Sequence, residues 1–297
     1  MRSALRTATV AAFLLVGMPA MALEQPANSG TRASVKQRVE SSMMVRGEID
    51  IETDGTVSAV QLHREDKLPA GVARLVRDNA LQWRFDPIMK DGKAVAARAP
   101  MNLRVVARKV EGDQYEIGLR GVSFNGEYNG DDRSAVTSIA MPPPRYPETA
   151  FRSGASGAVY LLVKVARDGK VEDAYAEQVN LTFLSSEADQ RRFRELFAKS
   201  AVAAAKRWQF RAPTEGERVD APFWSVRIPV TYTLGDAGRH PKDDYGQWSS
   251  YVSGPRERAP WRDEATDAQA SPDTLSDGGV YMADSKGPHL LTPLQGS

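Results

Sequence analysis

The chain has 297 residues, 41% of them apolar and 26% charged. That length suits about two domains, and the composition excludes a multi-span membrane protein and a wholly disordered chain. With 39 Lys and Arg against 38 Asp and Glu, no net field favours nucleic acid or an acidic membrane surface. Cysteine is absent, which removes disulfides, thiol catalysis, thiolate zinc sites and iron–sulfur clusters together.

The N-terminus has the pattern of an export signal. Arg2 and Arg6 form a positive start, Ala8 to Ala20 is almost wholly apolar, and Ala20-Met21-Ala22 offers small residues where a signal peptidase reads. The apolar run falls short of the ~20 residues a spanning helix needs, and Gly17 and Pro19 break it. Residues 1–22 are therefore expected to be a cleavable signal peptide, an uncleaved anchor being the weaker alternative. No later stretch is apolar enough to span a bilayer, so the mature chain is expected to be soluble in an exported compartment.

Two copies of one pattern follow. Val45–Val57 and Val159–Val171 both alternate apolar or small residues at period two, then read Asp-Gly, then Val after one further residue. Alternation predicts half-buried strands. Asp54-Gly55 and Asp168-Gly169 predict hairpin turns, because Gly accepts positive φ. The partner strands run over Val57–Leu62 and Val171–Val179. The connection Asn180–Gln190 is longer and more polar than its counterpart in the first copy.

A helix comes next in each copy. Val72, Leu75, Val76, Ala80 and Trp83 recur at helical spacing, as do Phe193, Phe197, Ala201, Ala204 and Trp208. Pro69 suits the first turn of the first helix. Each helix runs into Trp-x-Phe, at Trp83-Arg84-Phe85 and Trp208-Gln209-Phe210. Closing strands are predicted near Met101–Ala107 and Phe223–Leu234. In the second of these Val226, Ile228, Val230 and Tyr232 face one way, with Trp224 in line. The fold class is α+β, with each copy reading strand–strand–helix–strand and one helix on a small antiparallel sheet. The Trp-x-Phe pairs are assigned to the core, where each large aromatic contributes ~1.5–3 kcal/mol.

The second copy resembles the C-terminal domain of TonB, the periplasmic energy transducer of Gram-negative bacteria. The resemblance rests on Pro144-Arg145-Tyr146-Pro147, Ala150, Gly157, the strand Ala158–Ala166, Asp168-Gly169, the helix, Trp208-Gln209-Phe210 and the closing strand. It covers about Met141–Gly235. The first copy resembles the family more weakly, having Asp54-Gly55 and Trp83-Arg84-Phe85 but no Tyr-Pro lead-in. The resemblance implies strand addition: such domains capture an extended segment, the TonB box, from outer-membrane receptors beside the closing strand. Carried onto this sequence, the partner-binding residues are Trp224, Val226, Ile228, Val230 and Tyr232, with Arg145, Tyr146 and Pro147 in the lead-in, where Tyr146-Pro147 reads equally as a rigid packed entry to the helix that follows, because Pro presets φ. The family often has Gln where Arg145 stands, so partner specificity does not transfer. A working transducer also has an inner-membrane anchor and a long Pro/Lys-rich spacer, and neither is evident here.

The domain organisation expected is a signal peptide at 1–22, a degenerate TonB-like domain at 31–108, a linker at 109–140, a TonB C-terminal-like domain at 141–235 and a disordered tail at 236–297. Within the linker, Tyr115, Ile117 and Leu119 alternate as a strand would. In the tail, Tyr245, Trp248, Tyr251 and Trp261 are unusual for a plain linker, and suit a partner-recognition segment, a segment folded back on a domain, or solvated aromatics without a role.

Nothing points to catalysis. His63 is the one histidine inside a predicted domain and reads as a solvated loop residue. Glu48, Asp50 and Glu52 alternate as a charged strand face, and phosphate, dinucleotide, zinc and calcium motifs are all missing. No catalytic residue, metal ligand or cofactor is assigned. Two readings remain. One is a periplasmic protein that adds a strand from an outer-membrane TonB-dependent receptor or another envelope protein. The other is a structural scaffold that self-associates, as a homodimer for example, through its TonB-like domains and binds no TonB box.

Overall fold

A computed structural model describes residues 40–110, 114–126, 131–234, 245–263, 271–284 and 287–294. The expected signal peptide lies outside them. The first domain holds β1 (Glu40–Ile51), β2 (Val57–Leu62), α1 (Ala70–Ala80), the short strands β3 (Met89–Lys90) and β4 (Lys93–Ala94), β5 (Ala97–Lys109) and β6 (Tyr115–Ser123). The second holds β7 (Thr137–Ala140), α2 (Glu148–Arg152), β8 (Gly157–Ala166), β9 (Val171–Leu181), α3 (Glu187–Ala205), β10 (Gln209–Arg211) and β11 (Phe223–Tyr232). The C-terminal segment adds β12 (Ser249–Tyr251) and β13 (Tyr281–Met282). The fold is α+β with antiparallel sheets. Among the described residues no helix is long and apolar enough to cross a membrane.

The two main sheets share their order. In the first, β1 lies between β2 and β5, and β6 follows β5; in the second, β8 lies between β9 and β11, and β13 follows β11. Alternation sends Met43, Val45, Ile49 and Ile51 of β1 into one core with Val72, Val76 and Ala80 of α1. Val159, Leu161, Val163 and Val165 of β8 meet Phe193, Phe197 and Ala201 of α3 in the other. Pro69 sits immediately before α1. Ser186 caps α3 by accepting the Asp189 N–H at 3.2 Å. The connection expected over Asn180–Gln190 is shorter than its polarity suggested, since β9 runs to Leu181 and α3 begins at Glu187.

The Asp-Gly turns and the Trp-x-Phe pairs prove to be one joint. Gly55 and Gly169 have φ of +81° and +79°. Their carbonyls accept the Phe85 and Phe210 N–H groups, each at 2.9 Å. A Cβ on either glycine would lie 2.0 Å from the Phe85 or Phe210 carbonyl oxygen. The turn thus packs backbone to backbone on the aromatic segment, which only glycine permits. Trp83, Phe85, Trp208 and Phe210 are all buried, and the Trp208 Nε1–H donates to the Pro142 carbonyl at 2.9 Å.

Two stretches differ from expectation. Residues 109–140 are not a linker throughout: β6 pairs with β5, Ala135 and Val136 enter the second core, and β7 pairs with β10. The alternation at Tyr115, Ile117 and Leu119 falls in β6, whereas β7, four residues long, was too short to show a period. Residues 236–297, expected as a disordered tail, are bound to both domains wherever they are described. Tyr245 donates from its hydroxyl to the His63 carbonyl at 2.8 Å, and β12 pairs with the start of β1. Leu181 and Val252 exchange backbone bonds of 3.0 and 2.8 Å along β9, and the Leu291 N–H donates to the Arg84 carbonyl at 2.8 Å. Of the aromatics noted in the sequence, Tyr251 is buried and the Trp261 Nε1–H meets Ser225 Oγ at 3.3 Å.

Residues 272–274 form a buried 3-10 turn between the two sheets, on the faces away from α1 and α3. Arg104 of β5 donates to the Asp273 carbonyl at 3.0 Å and to Ser42 Oγ at 2.9 Å, and the Tyr251 hydroxyl binds the Asp273 carboxylate. Burial beside this cluster pushes the Tyr160 phenol up to about 12. Backbone and ionic bonds to residues far apart in sequence, with short apolar anchors such as Val252, Val280 and Met282 in the second core, therefore hold the tail.

Candidate functional site

β11 pairs with β8 along its whole length, Phe223 opposite Ala166 through Tyr232 opposite Gly157. Trp224, Val226, Ile228, Val230 and Tyr232 are all buried in the core that α3 covers. They are therefore not a surface on which a partner's side chains can sit. The alternation that singled them out is the signature of the core face, since residues two apart on a strand share a side. The outer backbone groups of β11 belong to the intervening residues. Ser225 accepts the Ala283 N–H at 2.8 Å, Arg227 pairs with Tyr281, and Pro229 accepts the Gly278 N–H at 3.2 Å.

The outer edge of β11 is thus occupied from Ser225 to Pro229 by the chain's own residues 278–283. Among the described residues no strand continues that pairing past Pro229, where Thr231 and Leu234 are exposed. Pro229 lacks an N–H, so the edge offers an acceptor there and no donor.

The lead-in residues divide. Tyr146 is half-buried, with its ring edge-on to Tyr232 at 5.5 Å and to Phe197 at 5.9 Å, and its hydroxyl donates to the Ala155 carbonyl. Burial raises its phenol pKa. Burial likewise pushes Tyr232 up to about 12, so both rings stay neutral at ordinary pH. Pro147 precedes the first residue of α2 with φ −63°, the value its ring imposes. Arg145 is exposed, while its carbonyl accepts the Ser200 hydroxyl. The fold therefore brings Tyr146 to the C-terminal end of β11, leaving Arg145 as the solvent-facing member of the three.

Other groups at this edge were not legible in the sequence. On the face away from α3, Arg227 makes two bonds to Glu177, at 2.8 and 3.0 Å, with both side chains buried. Glu177 lies at a bulge, where the register shifts between Tyr160 and Leu161, and a bulge of that kind hides a residue from period-two reading. Arg218 and Arg262 both bind the Asp284 carboxylate, Arg218 at 2.9 Å. The one available signal was Gly278-Gly279 before Val280-Tyr281-Met282, a turn followed by an apolar run too short to call. Among the described residues no group of three or more His, Asp or Glu is placed to hold a metal ion. What the arrangement offers is a row of backbone acceptors and donors flanked by cations, which suits an extended, acidic-ended peptide.

No family model matches the chain. Two curated relatives, Protein TonB from Xanthomonas campestris pv. campestris strains B100 and ATCC 33913, are each 36% identical over 99 residues. Those residues are 33% of this chain, and the chain spans 38% of the length of these relatives. A solution structure of the Pseudomonas aeruginosa TonB C-terminal domain aligns over 40% of this chain and all of its own, at 21% identity and a TM-score of 0.24. That superposition is too loose to add to the topology already described. With the ordered motifs around Asp168-Gly169 and Trp208-Gln209-Phe210, the Xanthomonas similarity supports a TonB C-terminal-like domain in this chain.

Proposed function

We propose that this chain is a periplasmic TonB-like protein that recognises extended segments of outer-membrane receptors by strand addition at the outer edge of β11, in the service of energy-dependent transport. The observation that carries this reading is that the edge already takes an added antiparallel strand, β13. Backbone pairing of that kind is indifferent to the source of the incoming segment, and side chains then select among candidates. The placement of Tyr146 against Tyr232 supports a lead-in that extends the contact beyond Pro229. Export by a signal at residues 1–22 puts such a protein in the compartment where receptor segments are presented.

A second reading, a scaffold that binds no TonB box, draws support from the way the tail covers the sheet. Residues 252–257 follow β9 and residues 278–283 follow β11, so both edges of the second sheet are lined. The two readings separate in one titration. TonB-box peptides from receptors of the same organism are added to the full mature chain and amide shifts are followed. Receptor recognition gives shifts at Ser225–Leu234 and Arg145–Tyr146. A folded chain without shifts at millimolar peptide, both as wild type and with the tail strand released, leaves the scaffold reading in possession.

A further inference from the structure

The strand seated on β11 has more than backbone pairing to hold it. Val280 and Met282 are buried in the second domain's core, and the Val136 N–H points at Met282 Sδ from 3.4 Å. Tyr281, between them, is buried too, and its hydroxyl accepts the Ser276 N–H at 3.2 Å. Asp284 follows, its carboxylate held by Arg218 and Arg262. Gly278 supplies the donor that the Pro229 carbonyl needs. Side-chain sockets, a cation pair and a backbone ladder thus meet on one seven-residue segment.

We propose that Gly278–Asp284 is a built-in ligand of the β11 edge, and that partner segments taken up there share its chemistry: apolar side chains alternating along an extended strand, then a carboxylate that meets Arg218 and Arg262. The part concerning partners rests on the receptor reading above. The paired register of β13 on β11 covers two residues, against ten between β8 and β11, so β13 is the more lightly paired of the two neighbours of β11, and its departure uncovers only the part of the core that Val280 and Met282 fill. Its tether holds it near the edge at high effective concentration. An incoming segment then binds only the molecules whose tail has let go, and its apparent affinity falls by that fraction.

The test uses the full chain and a synthetic peptide with the sequence of residues 276–286, titrated by calorimetry with amide shifts in parallel. Ala283→Pro deletes the N–H that Ser225 accepts and releases the tail strand. Met282→Asp strips an apolar anchor and serves as the second releasing variant. The peptide is expected to bind both variants about tenfold or more tightly than wild type, with amide shifts at Ser225–Ile228. Asp284→Asn in the peptide is expected to weaken binding several-fold. Equal affinity for wild type and both folded variants, or no binding to either variant, overturns the proposal. A receptor TonB-box peptide that fails to compete with the tail peptide on Ala283→Pro defeats the receptor reading and leaves the built-in ligand standing.

Discussion

Gly169→Ala probes the joint between hairpin and aromatic segment, and Gly154→Ala supplies its control. Both glycines have positive φ, +79° and +66°. An alanine held in that region costs about 1–2 kcal/mol whatever surrounds it. At Gly154 nothing lies within 4 Å of the added Cβ, so that is the whole expected loss. At Gly169 the Cβ meets the Phe210 carbonyl oxygen at 2.0 Å, and the atom it meets is backbone, which cannot swing aside as a flexible side chain would. The hairpin must lift away from β10. That opens the 2.9 Å bond from the Phe210 N–H to the Gly169 carbonyl, worth about 1 kcal/mol, and loosens the buried Phe210 ring, worth about 1–2 kcal/mol if half released. The expected destabilisation is about 3–5 kcal/mol for Gly169→Ala and about 1–2 kcal/mol for Gly154→Ala. Urea unfolding of the full chain, followed by tryptophan emission, measures both. Equal losses for the two variants would show that the close approach carries no energy.

Trp208→Ala empties a buried site and orphans the Pro142 carbonyl; a loss of about 3–5 kcal/mol is expected, enough to unfold the second domain, and unchanged thermal stability would refute its core role. Glu177→Gln leaves Arg227 charged, buried and without its carboxylate, so a loss of about 3–5 kcal/mol is expected. The double change Glu177→Leu with Arg227→Met is expected to recover most of it, and a double mutant as unstable as the single would contradict this account. The Tyr160 phenol titrates near 12 in the folded chain against 10 unfolded, chiefly because it is buried. A raised phenol pKa means the native state holds its proton longer, so the associated stability is complete below pH 10 and is lost as pH rises towards 12. Tyr160→Phe is expected to flatten the fall in guanidinium midpoint over that interval, and an unaltered slope would place the titrating group elsewhere.

Much of the fold was legible because it is local. The β2 strand begins and ends where alternation placed it, at Val57 and Leu62. The apolar stripe of α3, from Phe193 through Phe197, Ala201 and Ala204, is its buried face. The site was legible only in part. Alternation along β11 correctly marked which residues share a side, and the family resemblance then assigned that side to a partner. In the structure it faces α3. The residues whose backbone does face outward, Ser225, Arg227 and Pro229, carry no pattern of their own. Glu177, Arg218 and Asp284 were invisible for a similar reason: a charged residue in a sequence looks solvated until its partner is known to be near.

The sequence by itself determined two helices, six of the long strands, both hairpin turns and the burial of the Trp-x-Phe aromatics, because helix and strand periodicity record which face is buried, and Asp-Gly records a backbone that needs glycine; that turn and aromatic segment form one joint came from the tertiary structure. Tertiary structure alone decided where the described residues 245–263, 271–284 and 287–294 go. Strands of two or three residues are too short to show a period, and an edge bond depends on a neighbour over a hundred residues away, as between Leu291 and Arg84. The occupant of the β11 edge is set by which backbone comes within hydrogen-bonding reach, and folding brings the chain's own tail there.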